Sequence, residues 1–298
     1  NDDGRYNAPG SGAMAALKRG AEVWVRPGYR TPAGIEVAPG LAYWVEGWEH
    51  MSRGGRAVLV LEARDGWGLL EAWRARRQFS LAAGSRNISQ ILAFLLARAG
   101  LEYSSLSYSS ALVNHYPAFA IHPGEGADEA VRRLLQMAPD VLFFRGTVAC
   151  SRNPQASDAS DYSYGGSHAL LEGRYGQRSP GSNRTQVFGS GVVSEAFAWG
   201  DVEEECDRLA QVHDLNLTTP ALAQDRAALE VRRAGMEAVS GEIKVTVNCG
   251  QELYDVADVT DKRAGLTSAK RRLTGLDMAF ARHGQGSIYE HRLLLGGV

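Results

Sequence analysis

Between residues 242 and 247, apolar and polar side chains alternate without exception, and this stretch constrains the fold more than any other in the sequence. Successive side chains of a β-strand point to opposite faces, so the pattern predicts a strand with one buried face and one polar face. Strand-like runs follow it: ELYDVADV, SAKRRLTGLDMAF and SIYEHRLLLG. We therefore expect a small barrel or a curled sheet here. The alternating residues are Ile243, Val245 and Val247 with Glu242, Lys244 and Thr246.

Residues 21–65 also favour strands, because short β-type runs are separated there by Gly and Pro. The runs are AEVWVRPGYRTPAG, LAYWVEGWEH and RAVLVLEARDG. They predict an antiparallel sheet.

Three amphipathic helices are predicted from capping and periodicity. Asn87 caps the first, with Gln90 reaching back, and Gly100 stops it. The second spans about 127–138 and is followed by a hairpin that turns at residues 145–146. The third begins at Thr219 and Pro220, and its seam of small residues is expected to pack on a sheet.

The remaining segments carry weaker signals. Residues 151–182 are rich in Ser, Gly, Asp and Tyr, which indicates surface loops or short edge strands. NRTQVFGSG, residues 183–191, opens another β region. Residues 202–217 suit either a helix or a strand, and we expect an extended chain after Leu209.

Composition argues against several functional classes. The formal net charge is -2 with acids and bases mixed along the chain, so a broad positive field for nucleic acid is not expected. Three cysteines without a C-x-x-C pair support neither a disulfide framework nor a zinc site. The longest apolar run, residues 91–97, is too short to cross a membrane, and no export leader is recognised.

Asp255, Asp258 and Asp261 recur at every third position, which raises the question of a metal or catalytic site. In a strand and turn the first two point to opposite sides, and the spacing does not match a calcium loop. We expect solvated acids.

Other possible sites are equally weak. The adjacent Ser167 and His168 lack the setting of a nucleophile elbow, and the acids near His122 complement a helix N-terminus more simply than they bind a metal. No catalytic, cofactor-binding or metal-binding residue is predicted.

The order of several segments resembles the baseplate or tail-tip hub proteins of tailed bacteriophages. That family includes late control protein D and the hub part of contractile injection spikes. Each motif has low specificity, but together they span nearly the whole chain. The segments are LKRGAEVWVRPGYRTPAG, ISQILAFLLARAGL, ADEAVRRLLQM, NRTQVFG, GQELYDVADVTDKRAG and YEHRLLLGGV.

The resemblance implies an α+β, predominantly β fold. Two small tube-forming antiparallel β-barrel domains, each with a packed helix, would be joined by a middle region with helices and a hairpin. The implied domains are residues 1–83, whose start is expected to be missing, then 84–182, and 183–298 with a helix over 220–239.

The resemblance also implies a structural role without catalysis. A homotrimer would present six barrels to a hexameric tail tube or distal tail protein on one side and a spike or tip protein on the other. It would sit in the virion tail after assembly in the host cytoplasm, with DNA only in transit and no membrane partner. The candidate lumen or inter-subunit interface residues are Glu242, Lys244, Thr246, Lys270 and Arg272.

Two alternatives remain open at this point. One is a tail-associated cell-wall hydrolase, which needs paired carboxylates or a metal. The other is a carbohydrate-binding tail module that uses the aromatic side chains Tyr43, Trp44, Trp48 and Trp67.

Overall fold

A computed structural model describes residues 17–283 and 286–298. The fold is α+β and predominantly β, as predicted. The helices are α1 (Gly66–Ala72), α2 (Ile88–Arg98), α3 (Ser110–Asn114), α4 (Ala127–Leu135), α5 (Trp199–Glu204) and α6 (Pro220–Ala238). The strands of the first half are β1 (Glu22–Val25), β2 (Gly28–Thr31), β3 (Gly34–Val37), β4 (Leu41–Arg53), β5 (Arg56–Arg64), β6 (Phe79–Leu81), β7 (Glu102–Ser105), β8 (Phe119–Ile121), β9 (Val141–Arg145) and β10 (Val148–Arg152). Those of the second half are β11 (Tyr162–Tyr164), β12 (Leu170–Gln177), β13 (Arg184–Phe188), β14 (Val193–Phe197), β15 (Leu209–His213), β16 (Val239–Thr246), β17 (Val256–Asp261), β18 (Leu266–His283) and β19 (Gly286–Gly296).

The chain forms two compact units. The first contains the described residues up to Tyr108 together with Ala118–Gln136 and Leu142–Arg152. The second contains Ser109–Pro117, Met137–Val141 and Asn153–Val298. The three-domain division at residues 83 and 182 stays a prediction.

The first unit contains the antiparallel sheet expected from residues 21–65. Its strand order is β1-β4-β5, and β2 pairs with β3 in a separate hairpin. A second sheet has the order β7-β10-β9, with β7 and β10 parallel, and β6 pairs with β8. The predicted hairpin at residues 145–146 is confirmed, since Gly146 takes a left-handed φ of 56° between β9 and β10.

Helix α2 forms as its caps predicted. Asn87 accepts a hydrogen bond from the Gln90 backbone N–H, and the Gln90 side chain accepts one from the Asn87 N–H. Gly100 follows with a φ of 80°. The apolar residues of α2, Ile88, Ile91, Leu92 and Leu95, are fully buried. Helix α4 also forms with its predicted buried face, although it ends at Leu135 rather than near residue 138.

The second unit is built around a six-stranded sheet of order β11-β17-β18-β19-β16-β12. The stretch predicted as loops or edge strands supplies its two edges, β11 and β12. The sheet curls so that the β12 edge approaches β17, the neighbour of the opposite edge: the Tyr175 hydroxyl of β12 donates to Asp261 Oδ2 of β17 at 3.1 Å. The Gly165 N–H also donates to the His168 carbonyl at 2.9 Å in the turn between β11 and β12. The expectation of a curled sheet is confirmed.

Helix α6 packs on a smaller sheet of order β14-β13-β15. Thr219 caps the helix by accepting from the Leu222 N–H. The buried seam consists mainly of the small residues Ala223 and Ala227 against Val187 and Leu217, as predicted. The ambiguous stretch of residues 202–217 resolves into the end of α5 followed by β15, so the extended chain after Leu209 is also confirmed.

The core of the curled sheet encloses a histidine. His291 lies on the same face of β19 as the buried Leu293 and Leu295 and is 1% exposed. The pKa of His291 is lowered to about 4, mainly by burial; Asp277 opposes the shift and nearby His168 adds to it. The folded state therefore favours a neutral imidazole.

This burial predicts a loss of stability in mild acid. Because the folded pKa lies below the unfolded value, the stabilisation is complete above pH 6.5 and decreases as pH falls toward 4. The shift corresponds to about 2 kcal/mol lost between pH 8 and pH 5. Urea unfolding measures this loss. Between pH 8 and pH 5, the free energy of unfolding of His291→Leu should fall by about 2 kcal/mol less than that of the wild type. The matched control is the exposed His213→Leu, which should keep the wild-type dependence; equal slopes for all three proteins would contradict the prediction.

Candidate functional surface on the six-stranded sheet

The polar face predicted from residues 242–247 exists. Ile243 and Val245 are fully buried, whereas Glu242 and Lys244 are half-buried and Thr246 is exposed. The three polar residues share the face of β16 that is turned away from the apolar core. Their role as lumen or interface residues stays a proposal.

Charges on this face pair across three neighbouring strands. Lys244 Nζ lies 2.7 Å from Glu290 on β19 and 3.6 Å from Glu172 on β12. The strand register places Lys244 directly opposite Arg292, and like charges in that position repel. The acids diagonal to these two residues offset the repulsion. Glu290 pairs with Lys244, and Glu242 pairs with Arg292. We call these five residues, Glu172, Glu242, Lys244, Glu290 and Arg292, the charge ladder.

The pairs of the charge ladder stabilise the charged forms of their members. The hydrogen bond from Arg292 lowers the pKa of the Glu242 carboxyl, and the hydrogen bond to Glu290 raises the pKa of the Lys244 amine. The five groups alternate in sign along their contacts. Three acids and two bases leave this strongly polar face with a net charge of only -1.

Thr246 contacts His168, the residue next to the serine that was considered as a nucleophile. His168 Nε2 lies 2.9 Å from both the carbonyl oxygen and the Oγ1 of Thr246. The ring also packs edge-on against Tyr164, with 4.8 Å between ring centroids. This nitrogen of His168 therefore fixes the start of β12 against β16.

Lys270 and Arg272 share one face of β18, as alternation predicted, but Arg272 is not available to a lumen or a neighbouring subunit. It is 0% exposed. Its guanidinium donates to the carbonyls of Tyr254 at 3.0 Å and Gln155 at 2.8 Å and pairs with Asp158 at 3.0 Å. The burial of Arg272 argues against the interface role expected from the sequence, because residues of its own unit surround it.

Together with Arg272, several other hydrogen bonds hold the loop between β10 and β11 on the sheet. Lys270 Nζ donates to the Asp158 carbonyl at 3.1 Å, and Ser160 Oγ donates to Asp258 at 2.8 Å. Asp161 accepts from the Val256 N–H at 2.9 Å. A polar loop is thus attached at several points around one buried arginine.

The three aspartates spaced by three residues are separate structural acceptors. Asp255 is 5% exposed and accepts from Gln251 Nε2 at 2.8 Å, so the expectation that it is solvated was wrong. Asp258 binds Ser160, and Asp261 binds Tyr175 and the Arg263 N–H. Among residues 17–283 and 286–298, no group of His, Cys, Asp and Glu is arranged to hold a metal ion.

The remaining candidates also have local structural contacts. Glu125 accepts from the His122 N–H at 2.8 Å and pairs with Arg133. Trp67 packs edge-on against Phe144 at 6.1 Å. Trp44 and Trp48 are half-buried on β4. Within the described residues, no helix is both long and apolar enough to span a membrane.

Sequence reasoning missed three members of the charge ladder: Glu172, Glu290 and Arg292. The alternation of Glu290 and Arg292 with His291 and Leu293 was a usable signal for their face. Their pairing with β16 depends on strand register, which the sequence alone did not supply.

Removal of the buried arginine tests its structural role. Arg272→Met leaves the Tyr254 and Gln155 carbonyls without their donor and Asp158 without its cation. We expect a loss of about 2 to 3 kcal/mol in the free energy of unfolding, measured with urea. The neighbouring Arg271→Met should cost less than about 1 kcal/mol. Equal effects of the two variants would show that the buried contacts of Arg272 do not stabilise the fold.

By sequence, no protein-family model and no curated protein matches this chain. Solved structures do match. The 43 kDa tail protein of prophage MuSo2 from Shewanella oneidensis superposes with a TM-score of 0.63 at 15% identity, covering 99% of this chain and 85% of that one. The tail protein from Neisseria meningitidis MC58 gives 0.64 at 14% identity over 88% and 82%. A type VI secretion component from E. coli, described as structurally similar to the T4 phage tail proteins gp27 and gp5, gives 0.52 at 11% identity over 91% and 63%.

This chain has the fold of phage tail proteins. The resemblance inferred from the order of its sequence motifs is thereby confirmed at the level of the fold. The tail-protein fold extends over nearly the whole chain and includes both compact units. It places the charge ladder on the second unit of such a fold.

Proposed function

We propose that this chain is a structural protein of a phage tail that forms a homotrimeric hub in the baseplate or tail tip. The hub connects the hexameric tail tube, or a distal tail protein, to the central spike or tip. Its lumen passes the genome and the tape-measure protein, and the subunit performs no chemistry. The observation that carries this proposal is the likeness to a prophage tail protein over 99% of the chain.

The open sheet of the first unit supports an assembled state. Its strand order is β1-β4-β5, and the β1 edge pairs with no further strand within the described residues. Apolar side chains on these strands are also exposed, among them Leu41 at 45%, Met51 at 44% and Val58 at 48%. Open sheet edges beside exposed apolar residues are typical of surfaces that other chains cover.

The charge ladder supports a conduit rather than a DNA-gripping site. A wall of uncompensated Lys and Arg binds phosphates and releases counterions, which would slow a passing duplex. In the charge ladder, by contrast, Lys244 and Arg292 are each paired with acids. Glu242, Lys244 and Thr246 are therefore our candidate lumen residues, with Lys270 a candidate for an inter-subunit contact.

The oligomeric state tests the proposal directly. Light scattering on the purified chain at micromolar concentration should give the mass of a trimer, and negative-stain images should show threefold rings. Open sheet edges that complete one another between subunits are the physical reason. A stable monomer with no ring in assembled particles would contradict the hub. Clearing of peptidoglycan in a zymogram would instead support a cell-wall hydrolase.

Chemical labelling tests the lumen assignment. In a background with Cys206→Ser and Cys249→Ser, Thr246→Cys in the trimer should react with a small maleimide but far more slowly with a large polyethylene-glycol maleimide. Confinement within the lumen slows the entry of the large polymer but not that of the small reagent. Ser190→Cys, at an exposed loop, is the matched control and should react with both. Equal reaction of Thr246→Cys with both reagents would place it on open surface, and protection from both would place it in an interface.

A further inference from the structure

One stretch departs from the even mixture of charges found elsewhere in the chain. Residues 72–101 contain no Asp or Glu, although the whole chain has 34 acidic and 32 basic residues. An excess of positive charge is therefore concentrated in one segment of the first unit. Its basic residues are Arg74, Arg76, Arg77, Arg86 and Arg98.

Three of these arginines line a surface cleft of about 380 Å³ formed by β6, the residues before it and α2. The cleft also contains Phe79 and Phe94, whose rings contact each other edge-on at 5.5 Å. We call it the arginine cleft; its charged members are Arg77, Arg86 and Arg98.

The guanidinium groups of the arginine cleft lie over its aromatic rings. Arg98 is 5.6 Å from the Phe79 centroid and 5.1 Å from the Phe94 centroid. Arg77 lies 5.4 Å from Phe79, and Arg86 lies 5.3 Å from Phe94. A guanidinium stacked in this way keeps N–H donors along its edge for a carboxylate or phosphate.

No acid neutralises the arginine cleft within the described residues. Arg77, Arg86 and Arg98 are exposed, and none of them forms an ion pair there. Arg74, in contrast, pairs with Glu129 at 4.0 Å. Three cations around one cleft repel each other, so an anionic group with an apolar part would fit it best.

The second unit carries a segment with that chemistry. Around α5, Glu203 and Glu204 are exposed and form no ion pair within the described residues, while Glu205 and Asp207 are paired with Arg208 and Arg184. Trp199 is 60% exposed and stacks on Phe197 at 4.3 Å between centroids. The helix Trp199–Glu204 thus presents an exposed indole together with two unneutralised carboxylates.

We propose that the arginine cleft of one copy binds the helix Trp199–Glu204 of a neighbouring copy. Glu203 and Glu204 accept hydrogen bonds from the guanidinium edges, and Trp199 packs against the Phe79 and Phe94 rings. Such a contact joins two different patches of identical chains, which is how a cyclic ring closes. The inference rests on the homotrimer proposed above and specifies one contact within it.

A disulfide between copies tests the contact. Cys206 is exposed close to the acidic helix, and Ser80 is an exposed residue of the arginine cleft. In a Cys249→Ser background, Ser80→Cys should form covalent dimers and trimers under mild oxidation, seen on a non-reducing gel. The products should disappear when Cys206→Ser is added. Ser190→Cys, exposed but outside the cleft, is the matched control and should give only background.

Charge reversal then identifies the interaction. Arg77→Glu with Arg98→Glu should reduce the yield of disulfide-linked copies about tenfold, since like charges now face each other. Adding Glu203→Arg with Glu204→Arg should restore most of it. All four positions are exposed, so circular dichroism should show an unchanged fold.

Several results would overturn this inference. A trimer whose disulfide products do not exceed the Ser190→Cys level would contradict the proposed contact but not the homotrimeric hub. A disulfide formed only within single chains would do the same. Binding of a fluorescent single-stranded oligonucleotide that requires Arg77 and Arg98, with no disulfide between copies, would assign the cleft to nucleic acid. A strictly monomeric wild-type chain would remove both the contact and the homotrimer.

Discussion

The need of one sheet to enclose its apolar face determines much of the second unit. The strands β16 and β19 place Ile243, Val245 and Leu293 on one side, and this side is removed from water only because the sheet curls. Tyr175 and Asp261 join strands from near its two edges. Once the apolar side is inside, the opposite side must be outside. The charge ladder follows from the same alternation.

Two ionisable side chains inside this unit show how a small sheet fold tolerates polarity. Two backbone carbonyls and Asp158 surround the guanidinium of Arg272 and compensate for its burial. His291 is kept neutral by burial. The arginine has a structural consequence, since its contacts hold a Ser-rich and Asp-rich loop that composition alone describes as surface loop or short edge strand.

The sequence predicted what depends on neighbouring residues. The capping box at Asn87, the seam of α6 and the alternation of β16 are local patterns, and each was found in the structure. It failed where a contact joins distant segments. Asp255 and Arg272 were assigned to exposed positions because nothing in their own strands shows the loops that cover them. The partners of Lys244 likewise depend on register, which is set by the whole sheet.

Net charge conceals how the charges are distributed. A total of -2 is compatible with a uniform mixture, but the arginine cleft and the helix Trp199–Glu204 separate opposite charges onto different units. Exposed pairs such as those of the charge ladder are already neutralised and gain little from a partner. Unneutralised patches gain more, because association supplies the missing counter-charge and speeds the encounter. The conduit proposed here, assembled from identical chains, would need both kinds of surface: inert where cargo passes and complementary where subunits meet.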